Sequence, residues 1–317
     1  MPKVKSQKLN TRWKLVFMVP LVADFALLLW LFLRGKNIAL FNPKGYIAQQ
    51  QYTLMLWVVY VLLMIGIPSL VLFYYIAWKY RETSPKAVVT LHHRRSKALV
   101  PVMWIIPSIF GLIIAGYLIP ATHKLAPQKE IEASVDSMRI QVISLRWKWL
   151  FLYPEEGVAS VNFVQIPENR PVAFEMTADE APMGSFWIPN LGGQLYTMTK
   201  HVNRLNLMAE TRGDYPGSTP EITGPGFTGQ KFTARVSSQA EFDSWVSATK
   251  SSGVVLSMDE YEGLVEPSQN NPKAFYAGYD EDLYATVIAK YNQPGTGHIH
   301  TEAKTEEESD EGHSHTH

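Results

Sequence analysis

Between Leu54 and Trp78 the chain runs for 25 residues without a charged side chain. A helix of about 20 apolar residues crosses the hydrocarbon of a bilayer, whereas a long soluble helix keeps a polar face. The run therefore reads as a membrane span. Leu15 to Leu33 is apolar apart from Asp24, and Ala98 to Pro120 is apolar and holds Pro101 and Pro107. Spans are expected at 15–33, 54–78 and 98–120, making 15–120 a membrane region with two to three helices. The first run reads as an uncleaved anchor. A secretory signal is the competing reading, because Lys3, Lys5, Lys8, Arg12 and Lys14 precede the run. Its long apolar core and the lack of a small-x-small site argue for retention.

Basic residues mark the cytoplasmic side of a membrane protein. Residues 1–14 carry five of them and no acid, and the loop after the second run holds Lys79, Arg81, Lys86, Arg94, Arg95 and Lys97 against Glu82 alone. Both segments should be cytoplasmic. Everything after Pro120 should lie on the outer face of a multi-pass membrane protein.

That outer part changes character. "MRIQVISLRWKWLFLYP", "VASVNFVQIP", "VAFEMT", "GQLYTM", "RLNLMA" and "KFTARVS" are short, β-rich stretches between Pro, Gly and Asn turns. They predict a sandwich or small barrel over 121–237. Residues 238–293 read as a small helical appendix. Ser238 with Glu241 and Ser257 with Glu260 have capping-box spacing, and Phe242, Trp245, Val246 and Thr249 share one helical face. Leu283, Tyr284, Val287, Ile288 and Tyr291 form another apolar side. Residues 294–317 carry six acids between Glu302 and Glu311 and end on His313, His315 and His317, so a solvated tail is expected.

Composition removes several function classes. The formal net charge is zero, which gives no reason to expect nucleic acid as a partner. There is no cysteine, so disulfides, thiol catalysis, thiolate-bound metal and a lipid anchor on cysteine are all excluded. The folded outer part, 121–293, has only His123, at the membrane exit, and His201, in an expected turn. No Ser-His-Asp set or phosphate loop is visible, so no catalytic, cofactor-binding or metal-binding residue is expected in this chain. Trp147 and Trp149 form the strongest aromatic cluster. Strand alternation would put both rings on one face, either packed in the sheet or docked on a membrane partner. The stretch "GSTPEITGPGFTGQ", Gly217 to Gln230, has the turns of a metal-binding loop without cysteine, histidine or methionine.

Apolar spans, a β domain opening with "RWKW", then "GSFWIPNLGGQLYTM" and "GSTPEITGPGFTGQKFTARV", resemble subunit II of the haem-copper terminal oxidases over most of 42–291. The resemblance implies a cupredoxin-like domain after the membrane helices. In members that oxidise cytochrome c, this domain holds dinuclear copper. The family's copper ligands fall here on Gly184, Thr219, Thr223, Phe227 and Gln230, and the glutamate that lends a backbone carbonyl is kept as Glu221. The nearest resemblance is thus to the cytochrome bo-type ubiquinol oxidases, which lack that copper. It implies a non-redox scaffold, with the haems, copper and quinol site in subunit I. The implied partners are subunits I, III and IV, a membrane quinol and the bilayer. Trp147, Trp149 and Glu221 are then candidates for the contact with subunit I.

The family also places a glutamate at a proton-pathway mouth, four residues before the Trp of the third span. Trp104 is kept here, but that position is Val100, so Glu82, His92, His93 or an acid of subunit I would have to serve. Two alternatives remain: a stand-alone membrane-tethered cupredoxin-like module, and a cytochrome c oxidase subunit II, against which the missing cysteine pair counts.

Overall fold

A computed structural model describes residues 23–30, 38–79, 81 and 99–291. The basic segment 1–14, Glu82, His92, His93 and the tail 294–317 lie outside the described residues, and of the first expected span only 23–30 is described, as helix.

Two long apolar helices follow, α1 (Tyr46–Lys79) and α2 (Leu99–Lys124). Both are long and apolar enough to cross a membrane. Each outlasts the apolar run that announced it. α1 begins at Tyr46, and its first turns carry Gln49, Gln50 and Gln51. α2 continues past Pro120 to Thr122, His123 and Lys124. The reason is physical: hydropathy marks the part suited to hydrocarbon, while 34 residues make a helix about 51 Å long, beyond the ~30 Å hydrocarbon core.

Those polar turns are fastened to the outer domain. The backbone amides of Lys44 and Gly45 donate to the Asn190 carbonyl at 2.8 and 3.2 Å, and the Ala48 amide donates to the Leu191 carbonyl at 3.1 Å. An orphan donor of the first helical turn is thus satisfied from outside the helix. Gly45 sits so close that a Cβ would lie 2.8 Å from the carbonyl oxygens of Leu191 and Met208.

The outer domain is a two-layer sandwich. Its larger sheet has six strands in the order β12-β3-β2-β1-β5-β8. These are β1 (Met138–Leu145), β2 (Lys148–Tyr153), β3 (Val158–Val161), β5 (Pro171–Ala178), β8 (Asn203–Met208) and β12 (Ala274–Tyr276). The smaller sheet is β4-β10-β9, made of β4 (Phe163–Pro167), β9 (Gly213–Ser218) and β10 (Lys231–Ser237). Parallel pairs β1–β5 and β4–β10 sit among antiparallel neighbours. A hairpin of β6 (Gly184–Phe186) and β7 (Leu195–Thr197) closes one end. The result is a cupredoxin-like domain behind two membrane helices.

Strand β2 is buried along its whole length. Trp149, Phe151 and Tyr153 point into the sandwich core with Phe186 and Phe232, while Leu150 and Leu152 point to a second core. That second core lies beneath α4 (Met258–Val265) and α5 (Leu283–Lys290), with Tyr261, Leu283, Tyr284 and Val287 buried in it. Helix α3 (Gln239–Ser251) packs Phe242 and Val246 into the sandwich core. The segment expected to be purely helical therefore also contributes strands: β11 (Val255–Leu256) pairs with β13 (Gly278–Tyr279), and β12 pairs with β3 in the main sheet.

Candidate functional site

The loop 217–230 begins as strand. Gly217 and Ser218 end β9, and a Cβ on Gly217 would lie 2.1 Å from the Phe232 ring, so glycine lets that ring cover the strand. Beyond it, Thr219 and Thr223 turn back toward β6. A Cβ built on Gly184 would sit 3.4 Å from the Thr219 methyl and 3.6 Å from the Thr223 methyl. Gly184 is thus brought against two loop positions more than thirty residues further along the chain. Both threonine hydroxyl oxygens are buried and have no hydrogen-bond partner among the described residues. Phe227 is half-buried and opens the 3-10 turn Phe227–Gly229. Gln230 is buried, and its side-chain amide donates to Ser144 Oγ at 3.3 Å and to the Leu145 carbonyl at 3.4 Å, which ties the end of the loop to β1. Glu221 accepts a short hydrogen bond from Ser185 Oγ.

The two tryptophans separate. Leu145 of β1 pairs with Lys148 of β2, which leaves Arg146 and Trp147 as a two-residue turn. Trp147 has φ 63°, a strained value for a bulky residue. Its ring lies over the Gly224-Pro225-Gly226 corner, where a Cβ on Gly226 would sit 2.4 Å from the indole, and its Nε1 donates to the Thr223 carbonyl at 3.4 Å. Trp149 is fully buried, with its ring edge-on to Phe186 at 5.4 Å and to Phe232 at 5.8 Å. The expectation that alternation puts both rings on one face is corrected by this turn, which breaks the strand between them. Trp149 is core and offers no docking surface.

Val100 lies in the first turn of α2 and is exposed. Of the two histidines, His123 is exposed at the end of α2 and His201 is exposed in a loop. No group of three or more His, Cys, Asp or Glu residues suited to hold a metal ion occurs among the described residues.

Similarity in sequence decides the family. The chain is 39% identical over 267 residues to the cytochrome bo(3) ubiquinol oxidase subunit 2 of Pseudomonas putida, covering 84% of this chain and 85% of that one. It belongs to the quinol oxidase subunit 2 family. The ubiquinol oxidase subunit 2 of Acetobacter aceti is 34% identical, with 83% and 85% covered, and the quinol oxidase subunit 2 of Bacillus anthracis is 32% identical, with 80% and 86% covered. The family model described as the COX Aromatic Rich Motif matches residues 250–295. Among solved structures, the periplasmic domain of subunit II of cytochrome oxidase from Bradyrhizobium japonicum aligns at 21% identity and TM-score 0.36, covering 39% of this chain and 99% of that one.

In this subunit 2 chain the aromatic motif surrounds a cluster that sequence reading missed. Asp179, at the end of β5, is 1% exposed. It accepts from Tyr261 Oη at 2.7 Å, Tyr291 Oη at 2.6 Å and Lys290 Nζ at 3.0 Å. Burial first, then the bond to Asp179, pushes the Tyr291 phenol up from 10.0 to about 12. Tyr261 is raised still further, chiefly by burial. Burial lowers the Lys290 ammonium, but its bonds to Glu180 and Asp179 outweigh that and leave it raised. Beside the cluster lies a cavity of about 570 Å3 with Asp179, Glu180, Tyr261, Glu262 and Lys290 in its walls. On the same sheet face Lys148 is buried, and its ammonium donates to the carbonyls of Leu264 and Glu266 at 2.5 and 2.8 Å. Burial lowers its pKa, and Glu266 partly opposes that. These groups latch the end of α4 and the end of α5 to the sheet. The only sequence signal was a lysine inside an otherwise apolar strand.

Proposed function

We propose that this chain is the non-redox subunit II of a proton-translocating quinol oxidase. Quinol is oxidised from within the membrane, and dioxygen is reduced to water on haems and copper held by subunit I. This chain scaffolds subunit I from the outer face of a bacterial plasma membrane, alongside subunits III and IV. Residues 15–120 anchor it, 121–237 form the outer domain, and 238–293 extend that domain.

The meeting of Gly184, Thr219 and Thr223 supports this most strongly. The three positions face one another as the family's copper positions would, but Gly184 has no side chain and the two threonines turn methyl groups toward it. Copper electron-transfer sites take thiolate sulfur and imidazole nitrogen. Phe227 adds no donor, and Gln230 spends its amide on β1. This residue set does not fit copper, so electrons must reach subunit I by another route, and a membrane quinol provides one. The scaffold role rests on the turn held by Trp147 and on Glu221, which are the residues assigned to the contact with subunit I. Trp149 drops out of that set.

The test is purification of the intact complex, an optical spectrum, a quinol oxidation assay and metal analysis of this subunit after separation, with the histidine tail removed. Haem absorbance with quinol oxidase activity, and no copper in the separated subunit, is the expected result. Stoichiometric copper in the tail-less subunit, or purification without any haem-bearing partner, would overturn the assignment.

A further inference from the structure

The outer ends of α1 and α2 border two adjoining cavities that share Lys124. The larger is about 280 Å3, with Gln50, Leu54, Gly116, Tyr117, Pro120 and Lys124 in its walls. The smaller is about 200 Å3 and includes Tyr46, Lys124, Lys129, Glu130 and Glu132. Together they straddle the level where α1 changes from Gln49-Gln50-Gln51 to the apolar run from Leu54, and where α2 leaves its apolar run at Thr122. Trp57 and Tyr117 stack at 4.4 Å beside that level, as aromatic rings do at a membrane–water boundary.

Sequence explains the groove. Gly116 contributes no side chain, and a Cβ there would meet nothing within 4 Å. Pro120, one turn later, has no N–H to give the Gly116 carbonyl, and backbone acceptors at membrane depth need a donor. Leu54, Gly116, Tyr117 and Pro120 thus give the groove a largely apolar wall. At the rim the charges come in both signs. Glu130 is engaged by Arg204 at 3.2 Å. Lys124, Lys129 and Glu132 enter no ion pair among the described residues.

We propose that this groove seats one glycerophospholipid with a phosphoethanolamine headgroup. Its acyl chain lies along Leu54 and Gly116, its phosphate at Lys124 and Lys129, and its ammonium at Glu132. A headgroup with an N–H-bearing cation complements the rim, whereas a phosphoglycerol head lacks the cation and a phosphocholine head lacks the N–H. The assignment needs α1 and α2 to cross a bilayer and does not depend on the oxidase reading.

The test is native mass spectrometry of the intact, delipidated complex after adding back dioleoyl phosphatidylethanolamine, phosphatidylglycerol or phosphatidylcholine. The unaltered complex should retain one more phosphatidylethanolamine than a Gly116→Leu complex, in which the groove is filled. Lys124→Gln, on the exposed rim, should lose the same lipid with the complex intact, and keeps the test open if Gly116→Leu does not assemble. Equal phosphatidylethanolamine counts in the unaltered and Lys124→Gln complexes would overturn the proposal. So would equal retention of the three lipids by the unaltered complex.

Discussion

Thr219 and Thr223 carry hydroxyls that the fold buries without a partner. A buried unsatisfied hydroxyl costs about 1–3 kcal/mol, and replacing it by an apolar group of the same shape is neutral or better. Thr219→Val and Thr223→Val should each therefore raise the unfolding free energy, by about 1 kcal/mol, measured by urea denaturation of the subunit. A loss of that size would mean the hydroxyls are engaged. Trp147 and Trp149 show where single-residue reading stops. Their spacing fitted one strand face, but the Arg146-Trp147 turn hinges on a positive φ that pattern does not encode. That φ is held by Gly224 and Gly226, nearly eighty positions away in sequence. Those glycines, visible from the start as a tight corner, prove to be a seat for an indole ring.

At the scale of elements, local chemistry was legible and long-range pairing was not. Ser238 and Glu241 form the full reciprocal cap expected from their spacing, while Ser257 accepts from the Glu260 amide. Strand β9 escaped because Gly213, Pro216 and Gly217 read as turn, yet Pro216 is tolerated on the edge of the small sheet. Lys148 is an element-scale device, since it satisfies carbonyls at the end of α4. Lys148→Met keeps the stem but strips two hydrogen bonds, so it should cost about 1–3 kcal/mol and speed amide exchange in α4 more than in α3. The Asp179 cluster has a pH consequence. Tyr291, Tyr261 and Lys290 all bind their protons more tightly in the folded chain than in the unfolded one. The Tyr291 contribution is complete below the ordinary tyrosine pKa of 10.0 and is lost as pH rises through about 12, and those of Tyr261 and Lys290 persist beyond it. Near-ultraviolet circular dichroism with tyrosinate absorbance should show α4 and α5 coming loose over that window. Asp179→Asn should shift the loss to lower pH.

For the whole molecule, the membrane part was the most legible, because a chargeless run of 25 residues has few other uses. The fastening of α1 to the outer domain was not, since it rests on backbone groups of Lys44, Gly45 and Ala48 meeting Asn190 and Leu191. Gly45→Val would drive a side chain against two carbonyl oxygens. The substitution should uncouple α1, lowering the yield of assembled complex and raising protease cleavage near residue 45, while the sandwich keeps its circular dichroism. The pairing of β12 with β3 bears on the order in which the molecule can be made. Synthesis runs from the N-terminus, so β3 emerges more than a hundred residues before the strand that covers it. Until then one edge of the six-stranded sheet and the apolar face beneath α4 and α5 stay open, and such edges invite aggregation and proteolysis. The C-terminal aromatic segment thus acts as a completion check on biogenesis: a chain truncated before residue 274 cannot close its own sheet and is marked for removal by the surface it leaves bare.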